Sequence, residues 1–179
     1  MVRLVPGHLP ERAGLTRRLV AGSQYVIDYR GSFALDVPPA VVWHAIERGE
    51  RFETWWAWLR EFRLDGGVIA PGAVLRGVVV PPVPYTMRVR VEIDACDPPT
   101  SIDATVRGDI EGPARLVLHQ AGGGTRAEVT WTIEMRTRAM RMAARVAHPL
   151  LRWGHDRVVE ATVDGFRRHL TGGGGRARG

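Results

Sequence analysis

Two stretches of this chain alternate so strictly that each reads as a strand with one wet face and one dry face. From Thr86 to Asp94, Met87, Val89, Val91 and Ile93 alternate with Arg88, Arg90, Glu92 and Asp94. From Ala127 to Met135, Val129, Trp131, Ile133 and Met135 repeat the pattern. A period of two places each apolar set on one side of a sheet, and that side needs a cover. The only segment long enough to supply it is Ala139 to Leu170, so the chain reads as an α+β fold, a curved antiparallel sheet closed by a long C-terminal helix. Such an arrangement can enclose an apolar space.

The remaining elements follow from punctuation. Tyr25 to Leu35 reads as the first strand, and Asp36-Val-Pro-Pro as a helix start in which proline suits the first turn and the acid caps it. That helix, Ala40 to Arg48, stops at Gly49. A second short helix carries Phe52, Trp55, Trp56 and Trp58 and leads into a strand around Glu61 to Leu64. Val74 to Val80 and Thr86 to Ala95 make a hairpin through Pro81 to Pro84. Asp97-Pro-Pro, Gly112-Pro and Gly122-Gly-Gly then mark turns before Ser101 to Ile110, Ala114 to Gln120 and Thr125 to Arg136. About seven strands joined mostly by short turns form an antiparallel meander, with two short helices after strand 1. Residues 1–22 read as a basic, flexible arm, 23–170 as one domain, and 171–179 as a disordered glycine and arginine tail.

Composition excludes more than it assigns. The 179 residues contain no lysine and no asparagine, which removes lysine Schiff-base chemistry and the P-loop lysine. The single cysteine, Cys96, cannot form an internal disulfide. No apolar run approaches the roughly 18 residues of a spanning helix and no signal-like start is present, so a cytoplasmic protein is expected. The net charge of +6 is unevenly placed. Residues 31–135 carry ten arginines against fourteen acids, whereas residues 136–179 carry ten against three, a local charge of +7. Nucleic acid is therefore not the expected partner, because the sheet is slightly acidic and scattered helix arginines usually make a solvated face. The stretch Arg136 to Trp153, in which Met140, Met142, Val146, Leu150 and Trp153 accompany five arginines, makes an anionic membrane surface an alternative partner.

The order of elements, with Val37-Pro-Pro-Ala-Val-Val-Trp43, Trp55-Trp56-Ala57-Trp58, Pro71-Gly72, Arg88-Val-Arg-Val-Glu92, Asp97-Pro-Pro99 and Gly122-Gly-Gly-Thr-Arg-Ala-Glu-Val-Thr-Trp131, resembles the START-like (SRPBCC) helix-grip superfamily. Within it the chain resembles the polyketide cyclase/dehydrase and lipid-transport group, from about Tyr25 to Leu170. Trp153-Gly-His-Asp156 is similar to a stretch in the last helix of some bacterial members. The resemblance implies a cavity between sheet and helix that holds a hydrophobic small molecule, a lipid or a polyketide-like compound. The fold alone does not choose an activity, since it hosts carriers, sensors and cyclases.

Met87, Val89 and Val91 from one hairpin, Leu116 and Leu118 from the next, and Val129, Trp131 and Ile133 from the last are expected to line the concave face. Trp131 is the leading cavity wall, with a flat ring and one N–H donor. Trp55 and Trp58, three apart, are expected to share a helix face with Trp56 pointing elsewhere, one of the three standing at the cavity rim. Trp55 and Trp56 are therefore ligand candidates, and Tyr85 is a candidate on the opposite lip. On the long helix, Ala144, His148, Leu151, His155, Val158, Val159, Thr162 and Phe166 fall on one stripe. His155 and Val159 are thus further candidates. His148 and His155, roughly 10 Å apart along the axis, are too far apart to share a metal ion, and Pro149 interrupts the helix between them.

Proton transfer, if present, falls to His155 or Tyr85, with His155 otherwise bonded to the sheet or to Tyr85. Asp156 is expected to pair with Arg152 or Arg157, and His119 to point outward. The charges of β-strand residues 88–94 are expected to pair with Arg126, Glu128 and Asp103. No glycine-rich nucleotide fingerprint, Cys/His cluster or nucleophile elbow is present, and neither a cofactor nor a metal is expected. The oligomeric state is not legible.

Overall fold

The structure, a computed structural model, describes residues 26–48, 52–83 and 85–173, without the side chains of 139, 143, 144, 146–148, 151, 152 and 171–173. The proposed arm, residues 174–179 of the proposed tail, and the side chains of Ala144, His148, Leu151 and Arg152 therefore lie outside the described residues, while 171–173, expected in the tail, continue the last helix. The elements run β1 (Val26–Leu35), α1 (Pro39–Glu47), α2 (Phe52–Trp55), β2 (Leu59–Asp65), β3 (Val74–Val79), β4 (Met87–Asp97), β5 (Ser101–Gly108), β6 (Ile110–Ala121), β7 (Gly124–Met135) and α3 (Arg138–Gly173).

All seven strands form one antiparallel sheet in the order β1-β7-β6-β5-β4-β3-β2. Strands β2 to β7 are a meander, and β1 returns to lie against β7. β1 and β2 thus occupy opposite edges, and α1 with α2 carries the chain across the width of the sheet. Curvature is built into the strands. Gly108 and Gly112 have φ of +120° and +151°, and a Cβ at either would collide with a carbonyl oxygen of the neighbouring strand, Arg88 O or Thr132 O. Only glycine permits that approach.

Local signals placed most boundaries within a residue or two, and the exceptions have physical causes. Asp36 does not cap α1; Pro38 occupies the cap position with no side-chain bond, and the helix entry is held instead by Thr125 Oγ1 donating to Val37 O at 2.6 Å. Gly112-Pro113 is not a turn. The β5–β6 reversal falls at Gly108-Asp109, where the Asp109 carboxylate accepts from Arg88 N at 2.7 Å, so β6 begins earlier and runs through the proline. α2 ends at Trp55, which leaves Trp56 and Trp58 outside the helix.

The charges on the outer face pair locally: Arg90 with Glu92, Arg115 with Asp103, and Arg126 with Glu128. Thr105 Oγ1 donates to the Asp94 carboxylate. The expected pairs between β4 and β7 do not form because β5 and β6 lie between those strands. His119 is on this outer face, 3.6 Å from Glu128.

Candidate functional site

The register sets inward residues of neighbouring strands against one another. Tyr29 lies opposite Trp131, Trp131 opposite Ala114, Val129 opposite Gly31 and Leu116, and Val91 opposite Leu75 and Val106. Packing on this face is not uniform. At one end Leu35, Val42, Trp43, Ile69, Ile93, Ile102, Ala104, Leu118 and Ala127 form a buried cluster. At the other, Met135 and Met140 form a second cluster, flanked by Ile27, Tyr85, Met87 and Ile110. Between the two lie Tyr29, Val89, Val129 and Trp131, which among the described residues join neither cluster and remain partly exposed on the inner face, Tyr29 and Trp131 meeting His155 of α3. Inward side chains in the middle of a sheet keep accessible surface where the cover packs less closely over them, and this less tightly covered middle between the two clusters is called the gap.

Tyr29, Trp131 and His155 converge on this gap. The Tyr29 ring stacks on Trp131 with centroids 4.3 Å apart and planes 20° apart. His155, from α3, meets both edge-on, at 5.4 Å from Tyr29 and 5.5 Å from Trp131. Tyr29 can lie flat because residue 31 is glycine, and a Cβ there would strike the phenol oxygen of Tyr29 and sit 2.9 Å from Phe33. Tyr29 OH and Trp131 Nε1 are buried and have no hydrogen-bond partner among the described residues. Burial raises the Tyr29 pKa, and the Asp156 charge raises it further, so the phenol stays neutral at physiological pH. His155 Nδ1 lies 3.3 Å from Asp156 Oδ1. Arg157 lies 2.9 Å from Glu160, and the side chain of Arg152, the other expected partner of Asp156, lies outside the described residues.

The other candidates divide between gap and packing. Val91 and Leu116 border the larger cluster, and Met87 borders the smaller. Leu118, Ile133 and Val159 are buried. Tyr85 packs with Met87 beside Met135 and Met140, where burial raises its pKa; it is Tyr29, not Tyr85, that meets His155. Tyr29 escaped the sequence reading. Its alternation with Gly31, Phe33 and Leu35 marks the inner face, but no local signal pairs β1 with β7.

The tryptophans do not divide as helical spacing predicts. Trp56 stacks on Trp58 at 5.5 Å and 16°, and its Nε1 donates to Thr162 O of α3 at 3.0 Å. Trp55 stacks on His169 at 4.0 Å and meets Phe166 edge-on. With Phe52 and Phe62 they form an aromatic clamp holding α3 at its C-terminal half. The β3–β4 loop holds α3 nearer its middle, where a Cβ on Gly154 would lie 3.1 Å from the Val83 side chain. α3 is thus pinned on both sides of His155. A separate open groove of about 550 Å³ lies on the outer face, lined by Arg60, Glu61, Val78, Val80, Thr86, Arg88 and Asp109. It has none of the aromatic character of the gap.

Among the described residues no group of His, Cys, Asp or Glu is arranged to hold a metal ion, and no helix is long and apolar enough to cross a membrane.

Solved structures share this architecture. The protein TTHA0849 from Thermus thermophilus has 17% identity over 82% of this chain and 99% of its own, with a TM-score of 0.66. The Zhui aromatase/cyclase from a Streptomyces species has 12% identity over 86% and 99%, with a TM-score of 0.67. The di-domain aromatase/cyclase BexL of the BE-7585A biosynthetic pathway has 16% identity over 90% of this chain and 53% of its own, with a TM-score of 0.63. At such identities the likeness is one of helix-grip fold. No curated protein sequence matches significantly. A family profile described as polyketide cyclase / dehydrase and lipid transport matches residues 27–171, and the chain belongs to that family.

Proposed function

We propose that the protein binds a hydrophobic small molecule, a lipid or a polyketide-like compound between the sheet and α3, as a carrier or sensor. The observation that supports this reading is the split core: Tyr29, Val89, Val129 and Trp131 stay partly exposed between two buried clusters. Completing the apolar packing there would stabilise the fold by about 25 cal/mol per Å² buried, and a ligand can supply that surface instead. The unpartnered polar atoms on the wall, Tyr29 OH and Trp131 Nε1, are both donors toward an incoming acceptor. A ligand carrying a carbonyl on a flat apolar body fits that chemistry. The rings now cover both donors, so an acceptor reaches them only by displacing side chains.

The test is titration with an environment-sensitive aromatic or fatty-acid probe. Wild type should bind with a gain in fluorescence, and Val89→Phe, which fills the gap from β4, should weaken binding about tenfold while melting normally. Unchanged binding by a folded Val89→Phe would remove the gap as the binding place.

A second reading, an aromatase/cyclase or dehydratase acting in the same space, draws support from the proton-bearing groups Tyr29, His155 and Asp156 around it. In that case Tyr29 holds a substrate carbonyl and His155, oriented by Asp156, moves a proton. Acceleration of the cyclisation of a poly-ketone analogue by purified protein, lost in His155→Gln with binding retained, would select this reading.

A further inference from the structure

The solvent face of α3 changes character along its length. In the first half, Arg138, Met142, Arg145, Pro149, Leu150 and Trp153 are all exposed, and the i, i+4, i+7 spacing of most of them makes one stripe. Met142 is 68% exposed, and Leu150 and Trp153 are each 45% exposed. In the second half the exposed positions are Ala161 and the charged residues Arg157, Glu160, Asp164, Arg167 and Arg168, of both signs, with no large apolar side chain among them. Residues 136–155 contain no acid at all. Among the described residues of α3, large apolar side chains are thus exposed only in the half that carries no acid.

We infer that this half of α3 is a docking surface for an anionic lipid bilayer. Water gains nothing from Met142, Leu150 and Trp153, whereas the boundary between headgroups and acyl chains takes such side chains and sets arginines at phosphate level. Trp153 has an apolar ring with a polar edge suited to that boundary, and the Arg157 guanidinium, paired with Glu160, lies 5.8 Å from its centre. The convex face of a single helix suits a surface without fixed shape. A nucleic acid would use the arginines but not the methionine and leucine between them. The inference goes beyond the ligand reading and does not depend on it, because the stripe faces away from the gap.

The experiment is flotation of the full-length protein with phosphatidylcholine vesicles that contain or lack phosphatidylglycerol. Binding should require the anionic lipid, and should fall as salt shortens the screening length to about 3 Å near 1 M. Arg138→Gln should weaken it about fivefold. Met142→Gln and Trp153→Gln should each weaken it several-fold in dilute buffer, with melting temperatures unchanged because both side chains are exposed. Trp153→Gln and Met142→Gln that bind as wild type would overturn the inference, as would equal binding to both vesicle types. Absence of vesicle binding alongside retention of DNA, weakened by Arg138→Gln but not by Trp153→Gln, would assign the surface to a polyanion instead.

Discussion

The Tyr29 ring stacks on Trp131, centroids 4.3 Å apart, and the contact joins the first strand of the sheet to the last. Offset stacking of two large rings contributes about 0.5–1.5 kcal/mol beyond the area it buries, and it fixes the wall of the gap opposite α3. The cost is two buried donors without acceptors among the described residues. An unmet buried donor costs about 1–3 kcal/mol, which a bound acceptor can recover.

Tyr29→Phe separates these effects. The stack survives and an unmet hydroxyl disappears, so stability should be unchanged or slightly higher by denaturant titration. Affinity for a ligand with a carbonyl should fall by up to about tenfold, whereas a pure hydrocarbon probe should bind as before. Equal loss for both ligands would show that the hydroxyl is not the recognising group.

Alkaline pH gives a second handle. Tyr29 and Tyr85 both have pKa values raised chiefly by burial, so their neutral forms are favoured in the folded state. Their contribution to stability is intact below about pH 10, the pKa of an unfolded tyrosine, and is lost as pH rises through the higher folded values. Melting temperature should therefore drop above pH 10, less steeply in Tyr29→Phe and Tyr85→Phe. Tyrosinate absorbance rising at the normal midpoint for all three tyrosines would contradict this.

Gly165 carries a prediction of opposite sign to helix propensity. In a free helix, glycine to alanine stabilises by about 1 kcal/mol. Here the added Cβ would collide with Trp55 O and lie 3.2 Å from the Trp56 ring. Gly165→Ala should instead destabilise the protein by about 1–3 kcal/mol by urea unfolding, because the clamp must move off α3. A stabilised variant would show that α2 and α3 are not packed so closely.

His155→Gln distinguishes carrier from catalyst. For a cyclase, turnover should fall by about 10²–10⁴-fold with ligand affinity nearly constant. For a carrier, affinity should shift slightly because His155 faces Tyr29 and Trp131 edge-on, and no turnover is there to lose.

Alternation in the sequence determined which face of each strand is dry, because a period of two leaves no other arrangement, and Met87, Val89, Val91, Val129 and Trp131 indeed share one side of the sheet. The length of the last segment and the punctuation between strands determined the long helix and most turns. Partnership between strands distant in the chain was not legible. A period of two reports a face but not a partner, so Tyr29 against Trp131 and the return of β1 to β7 appeared only when the sheet closed. The tryptophans differ from their helical spacing for a related reason: α2 stops at Trp55, and contact with Thr162, Phe166 and His169 of α3 sets each ring. The division of the core is likewise tertiary: among the described residues two separate buried clusters form on the inner face, a distribution of packing that no single stretch of sequence contains.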